Sequence, residues 1–198
     1  MALACVAPPD ADDDVELAAA LACDLDASFE ALVIAYRNRI VSFVARMLRD
    51  DARAEDVAQD VFVRAYRALQ SYDAPRRRAL RLRPWLYAIA HNLTRNAIRD
   101  APPPGEALER SDGSVRPLPG DARAWPEAVV ERHETFAVLE RAIATLSPRL
   151  RPAFVMRYLQ DASYDEIADV LGQPVGTVKA SAHRGLLAIR ARMENDHD

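Results

Sequence analysis

The stretch SYDEIADVLGQPVGTVKASAHRGLLAIRARM, Ser163 to Met193, decides the fold, because it carries the marks of two helices crossing at a tight turn. A helix-turn-helix needs a small residue where its helices cross, a glycine in the turn, and a β-branched apolar residue anchoring the second helix. Ala168, Gly172 and Val178 supply these at intervals of four and six residues. Ser163 and Glu166 form the S-x-x-E capping box that starts the first helix, and Pro174 suits the first turn of the second. Ile167, Val170 and Leu171 are expected to bury the first helix, while Val175, Val178, Ala182, Leu186 and Ile189 form the inward face of the second. Lys179, Ala180, His183 and Arg184 are left outward, where they can reach base edges and phosphates in a major groove. The bland alternative is a helical hairpin whose basic side is merely solvated. Capping box, glycine turn and an acid-free second helix together favour DNA binding.

Working outward, Ser147-Pro148 reads as an N-cap followed by proline at the first helical position, which places a C-terminal helical domain at residues 127–198. Before it, APPPGEALERSDGSVRPLPGDARAWP, Ala101 to Pro126, holds six prolines and three glycines with almost no apolar period, and reads as an extended linker. Residues 28–100 predict three helices. The first carries Phe29, Leu32, Val33, Tyr36, Ile40, Phe43, Val44, Met47 and Leu48 at helical spacing. The second begins after Asp50-Asp51 and buries Val57, Val61, Phe62, Ala65 and Leu69. The third opens at Pro84 and turns Leu86, Ile89, Leu93 and Ala97 inward. Residues 1–27 are rich in Ala and Asp, with a Pro8-Pro9 pair, and are expected to be a mobile or loosely docked acidic tail. Strand signals are scarce. The predicted class is therefore all-α: two small helical domains joined by a Pro-rich linker, the C-terminal one a helix-turn-helix.

The net charge of −4 over 198 residues argues at first against a nucleic-acid partner, but the charge is segregated. Met1 to Tyr36 contains eight acidic residues and no basic one, so the remainder carries +4. Within it, Arg76 to Arg99 holds seven arginines and no acid, and Pro174 to Arg192 holds four basic residues and no acid. The first of these patches continues into a face of the third helix. Trp85, Asn92, Arg95, Asn96 and Arg99 share one stripe there, combining aromatic, amide and guanidinium groups. Such a surface suits a single strand, since arginine neutralises phosphate and rings stack on unpaired bases. Taken singly, Trp85 and Tyr87 are as readily core residues, whereas packing gives little account of the arginine-rich loop Arg76 to Arg83. On the second helix Asp56, Gln59 and Asp60 form an outward acidic stripe suited to a basic partner.

Other classes are disfavoured. The acidic stripe lies on one helix with no opposing carboxylate, histidine or glycine loop, so no catalytic residues are assigned. Cys5, Cys23 and four scattered histidines lack metal-ligand spacing, and the cysteines are expected as free thiols. No metal or cofactor is expected. No apolar run reaches the ~18 residues of a membrane span, and the start MALACVAPPDADDD lacks a basic n-region, so a cytoplasmic protein is expected.

Four blocks, AEDVAQDVFVRAYRAL, RPWLYAIAHNLTRNAIRD, LSPRLRPAFVMRYLQDASYDEIADVLG and PVGTVKASAHRGLLAIR, occur in an order that resembles the extracytoplasmic-function sigma factors of bacterial RNA polymerase, over about Phe29 to Met193. The resemblance implies an initiation subunit that binds core polymerase and directs promoter recognition. It implies that Asp56, Gln59 and Asp60 dock on the β′ clamp helices. By the same likeness, Trp85, Asn92, Arg95, Asn96 and Arg99 face the minus-ten element, and Lys179, His183 and Arg184 read the minus-thirty-five element. A contact with the β flap, a linker running toward the RNA exit channel and an anti-sigma partner are implied likewise. Ala180 and Ser181 stand where the family often has serine and arginine, and Gly185 replaces a usual alanine, so direct readout is expected to be thinner. The rival is a free-standing regulator that binds duplex operators as a dimer. No heptad zipper or ligand-pocket domain supports it, and it leaves the Trp/Arg surface without a role.

Overall fold

The computed structural model describes residues 11–100 and 137–195; the predicted linker at 101–126 and Cys5 lie outside them. All the regular elements among these residues are helices: α1 Ala11–Cys23, α2 Leu25–Leu48, α3 Asp51–Ser71, α4 Ala74–Arg78, α5 Leu82–Arg99, a helical stretch α6 at 137–145, α7 Arg151–Tyr158, α8 Tyr164–Leu171 and α9 Val175–Asn195.

Short polar side chains set the helix starts. Asp24, Asp50 and Asp73 cap α2, α3 and α4 by accepting from the amides of Ala27, Arg53 and Arg76. Arg49 ends α2 in the left-handed conformation (φ 59°), its amide donating to the Ala45 carbonyl at 2.7 Å. With Asp50 opening the next helix at once, α3 folds back along α2. Their apolar stripes bury Leu32, Tyr36, Ile40 and Phe43 against Ala58, Val61, Ala65 and Leu69. α5 closes this group, its Tyr87 ring edge-on to Phe43 with centroids 5.3 Å apart.

The stretch expected as a loosely docked tail is, from Ala11 onward, a helix with a buried side. Leu21 and Ala18 are 0% and 1% exposed, and burial of a leucine contributes about 1.5–3 kcal/mol. The Tyr36 hydroxyl also donates to the Asp14 carboxylate. Desolvation pushes the Asp14 carboxyl up and the Tyr36 phenol well above its usual range. An acidic composition suggested an undocked tail, but the acids lie beside an apolar stripe whose burial drives docking.

The C-terminal group also departs locally from expectation. Residues 148–150 form a turn and regular helix begins at Arg151, with amides of Leu150 and Arg151 donating to the Ser147 carbonyl. The predicted capping box is present in both directions: Ser163 N–H donates to Glu166 Oε2 at 2.8 Å, and Glu166 N–H to Ser163 Oγ at 3.2 Å. Gly172 ends α8 at φ 62°, a left-handed conformation where a side chain is strained.

The two helical groups share one continuous core of buried side chains. Several polar contacts cross between them. Arg46 pairs with Glu140 at 2.6 Å, Arg151 Nη1 donates to the Met47 carbonyl at 3.3 Å, and the Tyr87 hydroxyl donates to Gln160 Oε1 at 2.7 Å. Arg151 is 4% exposed and holds the carbonyls of Ala144 and Leu146 as well. Its Nε is buried without a partner, and desolvation lowers the guanidinium pKa to about 10.

Candidate nucleic-acid interface

On α9 the helical period separates two faces cleanly. Val178, Ala182 and Ile189 are buried, whereas Lys179, Ala180, His183 and Arg184 lie on the opposite side, the last three fully exposed and Lys179 partly so. Arg184 Nε donates to the Ala180 carbonyl at 3.2 Å and Lys179 Nζ lies 5.5 Å from the Tyr164 ring centroid, so α8 helps to position the basic face. Ser181 is 2% exposed and points inward, which removes it from any reading role. Gly185 has a packing reason: a Cβ there would meet Phe154 Cβ at 3.0 Å, so the close approach of α7 and α9 disfavours the family's usual alanine.

On α5 the predicted strand-binding residues are placed unevenly. Asn92, Arg95 and Arg99 lie toward solvent, and Asn96 is partly buried. Trp85 is half-buried, its ring 6.3 Å from that of Tyr72, in a shallow cavity also lined by Leu80, Arg81, Pro84 and Asp169. One ring face is therefore not freely presented along the stripe. Tyr87, the other aromatic considered, is a core residue at 1% exposure.

The arginine-rich loop has packing partners that the sequence did not reveal. Arg77 donates to the Leu69 carbonyl at the end of α3 and to the Leu21 carbonyl near the end of α1. Arg76 lies 3.8 Å from the Tyr72 ring centroid. Arg83 donates to the Gln160 carbonyl, and Arg81 pairs with Asp169 at 2.8 Å. A cluster expected to be explained only by nucleic acid is thus partly a set of ties for helix ends, where carbonyls lack partners.

His91 is partly buried on α5 beside Arg95, and desolvation, assisted by that guanidinium, lowers its pKa to about 4. The imidazole is neutral in the fold, while the unfolded chain protonates below about pH 6.5. Stability should therefore fall as pH drops from about 6.5 to about 4, by on the order of 2–3 kcal/mol. His91→Gln is expected to flatten that part of the profile, measured by urea unfolding at stepped pH; an unchanged slope would show that His91 is not its source.

On α3, Asp56, Gln59 and Asp60 are all exposed and lie on one side. Beside them runs a groove between α2 and α3, floored by Phe29, Val33, Val41, Phe62 and Val63 and edged by Arg37, Glu55, Asp56 and Gln59. Arg37 and Glu55 pair across it at 3.0 Å. The acidic stripe was visible as a period of charge; the groove was not, because Phe29 and Val33 read equally well as ordinary core. Among the described residues, no group of three or more His, Cys, Asp or Glu is placed to hold a metal, and no helix is long and apolar enough to cross a membrane.

The Sigma-70 region 2 family model matches residues 32–102, and the Sigma-70 region 4 model matches residues 136–189. The extracytoplasmic-function (ECF) RNA polymerase sigma factor SigW of Bacillus subtilis is 33% identical over 177 residues, covering 87% of this chain and 91% of the relative. The RNA polymerase sigma-H factor of Pseudomonas aeruginosa is 33% identical over 168 residues, 82% of this chain and 84% of its own. Among solved structures, CnrH in complex with the cytosolic domain of CnrY superposes with TM-score 0.62 at 23% identity, over 92% of this chain and 98% of CnrH. The sigma factor RpoE in complex with the anti-sigma factor NepR from Bartonella quintana gives 0.61 at 17% identity, over 84% and 96%. These two share the fold.

Proposed function

The chain belongs to the extracytoplasmic-function sigma factors of RNA polymerase, and from that premise we propose how its surfaces divide the work of initiation. A sigma factor binds core RNA polymerase and directs promoter recognition and DNA-templated initiation. Here the acidic stripe of Asp56, Gln59 and Asp60, with the groove beside it, docks on the β′ clamp helices. The α5 face of Asn92, Arg95, Asn96 and Arg99, with Trp85 at its end, takes the minus-ten strand once its bases are unpaired. The α9 face of Lys179, His183 and Arg184 reads the minus-thirty-five duplex, and the C-terminal unit touches the β flap. The protein works in the cytoplasm and performs no chemistry of its own. An anti-sigma protein, of the kind that holds one structural neighbour, is its expected regulator.

The observation that carries this division is the pairing of two basic faces of different chemistry on two helical units of one chain. The α5 face mixes amides and guanidiniums next to a ring, suited to single strands. The α9 face presents side chains from one helix, suited to a major groove. Trp85→Ala is expected to impair promoter melting, read by permanganate reactivity of unpaired thymines, with closed-complex binding nearly intact. Stacking is worth about 1–3 kcal/mol per base, and the half-buried ring puts the effect at the lower end. A pre-melted promoter should restore much of the activity, and failure of that rescue would remove Trp85 from the strand face.

The duplex face has its own test. Lys179→Ala with Arg184→Ala should lower the slope of log affinity against log salt by about one unit for each phosphate no longer neutralised. Normal minus-thirty-five-dependent transcription by this double variant would show that the reading face lies elsewhere.

A further inference from the structure

The contacts between the two helical groups fall on the helix that carries the strand-binding face. α8 packs on α5. Its Asp169 pairs with Arg81 at 2.8 Å and lines the same shallow cavity as Trp85. The Tyr87 hydroxyl reaches Gln160 Oε1 at 2.7 Å, and Arg83 donates to the Gln160 carbonyl. Farther along, Arg46 forms two bonds to Glu140 Oε1, at 3.1 and 2.6 Å, in a pair only 11% and 22% exposed. Arg151 then ties the Met47 carbonyl to the C-terminal group. A carboxylate on Arg81 beside a half-covered ring occupies the place a phosphate and a stacked base would take.

The promoter demands a different arrangement. Elements named for positions minus ten and minus thirty-five lie about 25 base pairs apart, roughly 85 Å at 3.4 Å per step. A compact chain of 198 residues has a radius of gyration of about 16 Å. The two units cannot stay in contact and meet both elements.

We propose that the unbound chain is shut by a latch between its two DNA-binding units, in which α8 and the Gln160 segment close over the Trp85 end of α5, so that closure and strand binding exclude each other. Asp169 holds the cation at that end, Gln160 and Arg151 fix the register, and the Arg46–Glu140 pair is the strongest charged tie. Opening frees α5 for the strand and lets α9 move away to its own element. The occlusion rests on the assignment of α5 as the strand-binding face; the latch itself does not.

The test uses the full chain with Cys5 and Cys23 replaced by serine and fluorophores on Gln70→Cys and Arg190→Cys, both exposed positions away from the proposed DNA contacts. Energy transfer and affinity for a minus-ten single-stranded oligonucleotide are read together. Arg46→Glu and Glu140→Arg should each lower transfer and tighten strand binding about tenfold, since apparent affinity scales with the competent fraction. The two singles change net charge in opposite directions, so a shared effect is not general electrostatics. The charge-swapped double variant Arg46→Glu, Glu140→Arg should restore high transfer and weak binding. Unchanged transfer in both singles would overturn the latch. Lowered transfer with unchanged strand affinity would overturn the occlusion if Arg95→Ala still weakens binding; if Arg95→Ala has no effect either, the strand-face assignment fails and the latch stands.

Discussion

Asp56→Arg with Asp60→Arg is expected to weaken core-polymerase binding by about a hundredfold or more, because like charges set against a complementary partner cost several kcal/mol and each tenfold is about 1.4 kcal/mol. The expectation follows from placement. Both carboxylates are exposed on α3, and the described ion pair of the region joins Glu55 to Arg37, so neither is committed to holding the fold. Exposed substitutions of this kind change stability by within about 0.5 kcal/mol. Thermal unfolding should therefore be nearly unchanged while pull-down of core enzyme fails. Gln59→Ala, which leaves charge intact, should have a smaller effect. Unaltered affinity of the double variant would move the docking surface away from this stripe.

The second large effect is on stability. Tyr87→Ala should cost about 3–5 kcal/mol, because the ring is 1% exposed, edge-on to Phe43, and its hydroxyl satisfies Gln160. Tyr87→Phe separates the two contributions. It keeps the ring and removes one hydrogen bond, leaving the Gln160 amide oxygen short of a donor, so about 1–2 kcal/mol is expected. Equal losses in the two variants, measured by urea unfolding, would mean that the bond between the helical groups, and not ring burial, dominates at this position.

Tyr87 also marks where the sequence was legible and where it was not. The helical periods of Leu32, Tyr36, Ile40 and Phe43, or of Val178, Ala182 and Ile189, are local patterns, and these side chains are buried. The capping box and the αL glycine are equally local and stand as expected. Contacts joining the two groups leave no such trace. Nothing near Arg151 announces that its guanidinium will hold Met47, 104 residues away, and nothing near Gln160 points to Tyr87.

The same distinction explains the arginine-rich loop and α1. Arg77 and Arg83 read as spare charge because their acceptors are backbone carbonyls, which have no sequence signature. α1 read as a tail because Asp and Ala dominate its composition, although Ala18 and Leu21 lie on one face three residues apart. Ser181 and Gly185 seemed to thin the reading face; one is buried and the other makes room for Phe154. The outward candidates on α3, α5 and α9 were visible because amphipathic helices show their solvent side as plainly as their core side. The exception is Trp85, whose half-burial against Tyr72 depends on how the loop before α5 folds.

If this chain confers promoter-specific initiation on core polymerase, run-off transcription with purified core enzyme is the most direct measurement of it. Genomic fragments selected by binding to the reconstituted holoenzyme serve as templates. Transcripts of defined start should appear only when the chain is added, and should disappear with Asp56→Arg, Asp60→Arg. Specific duplex binding by a dimer of the free chain, with no transcript from core enzyme on any selected fragment, would contradict the account and favour a free-standing regulator.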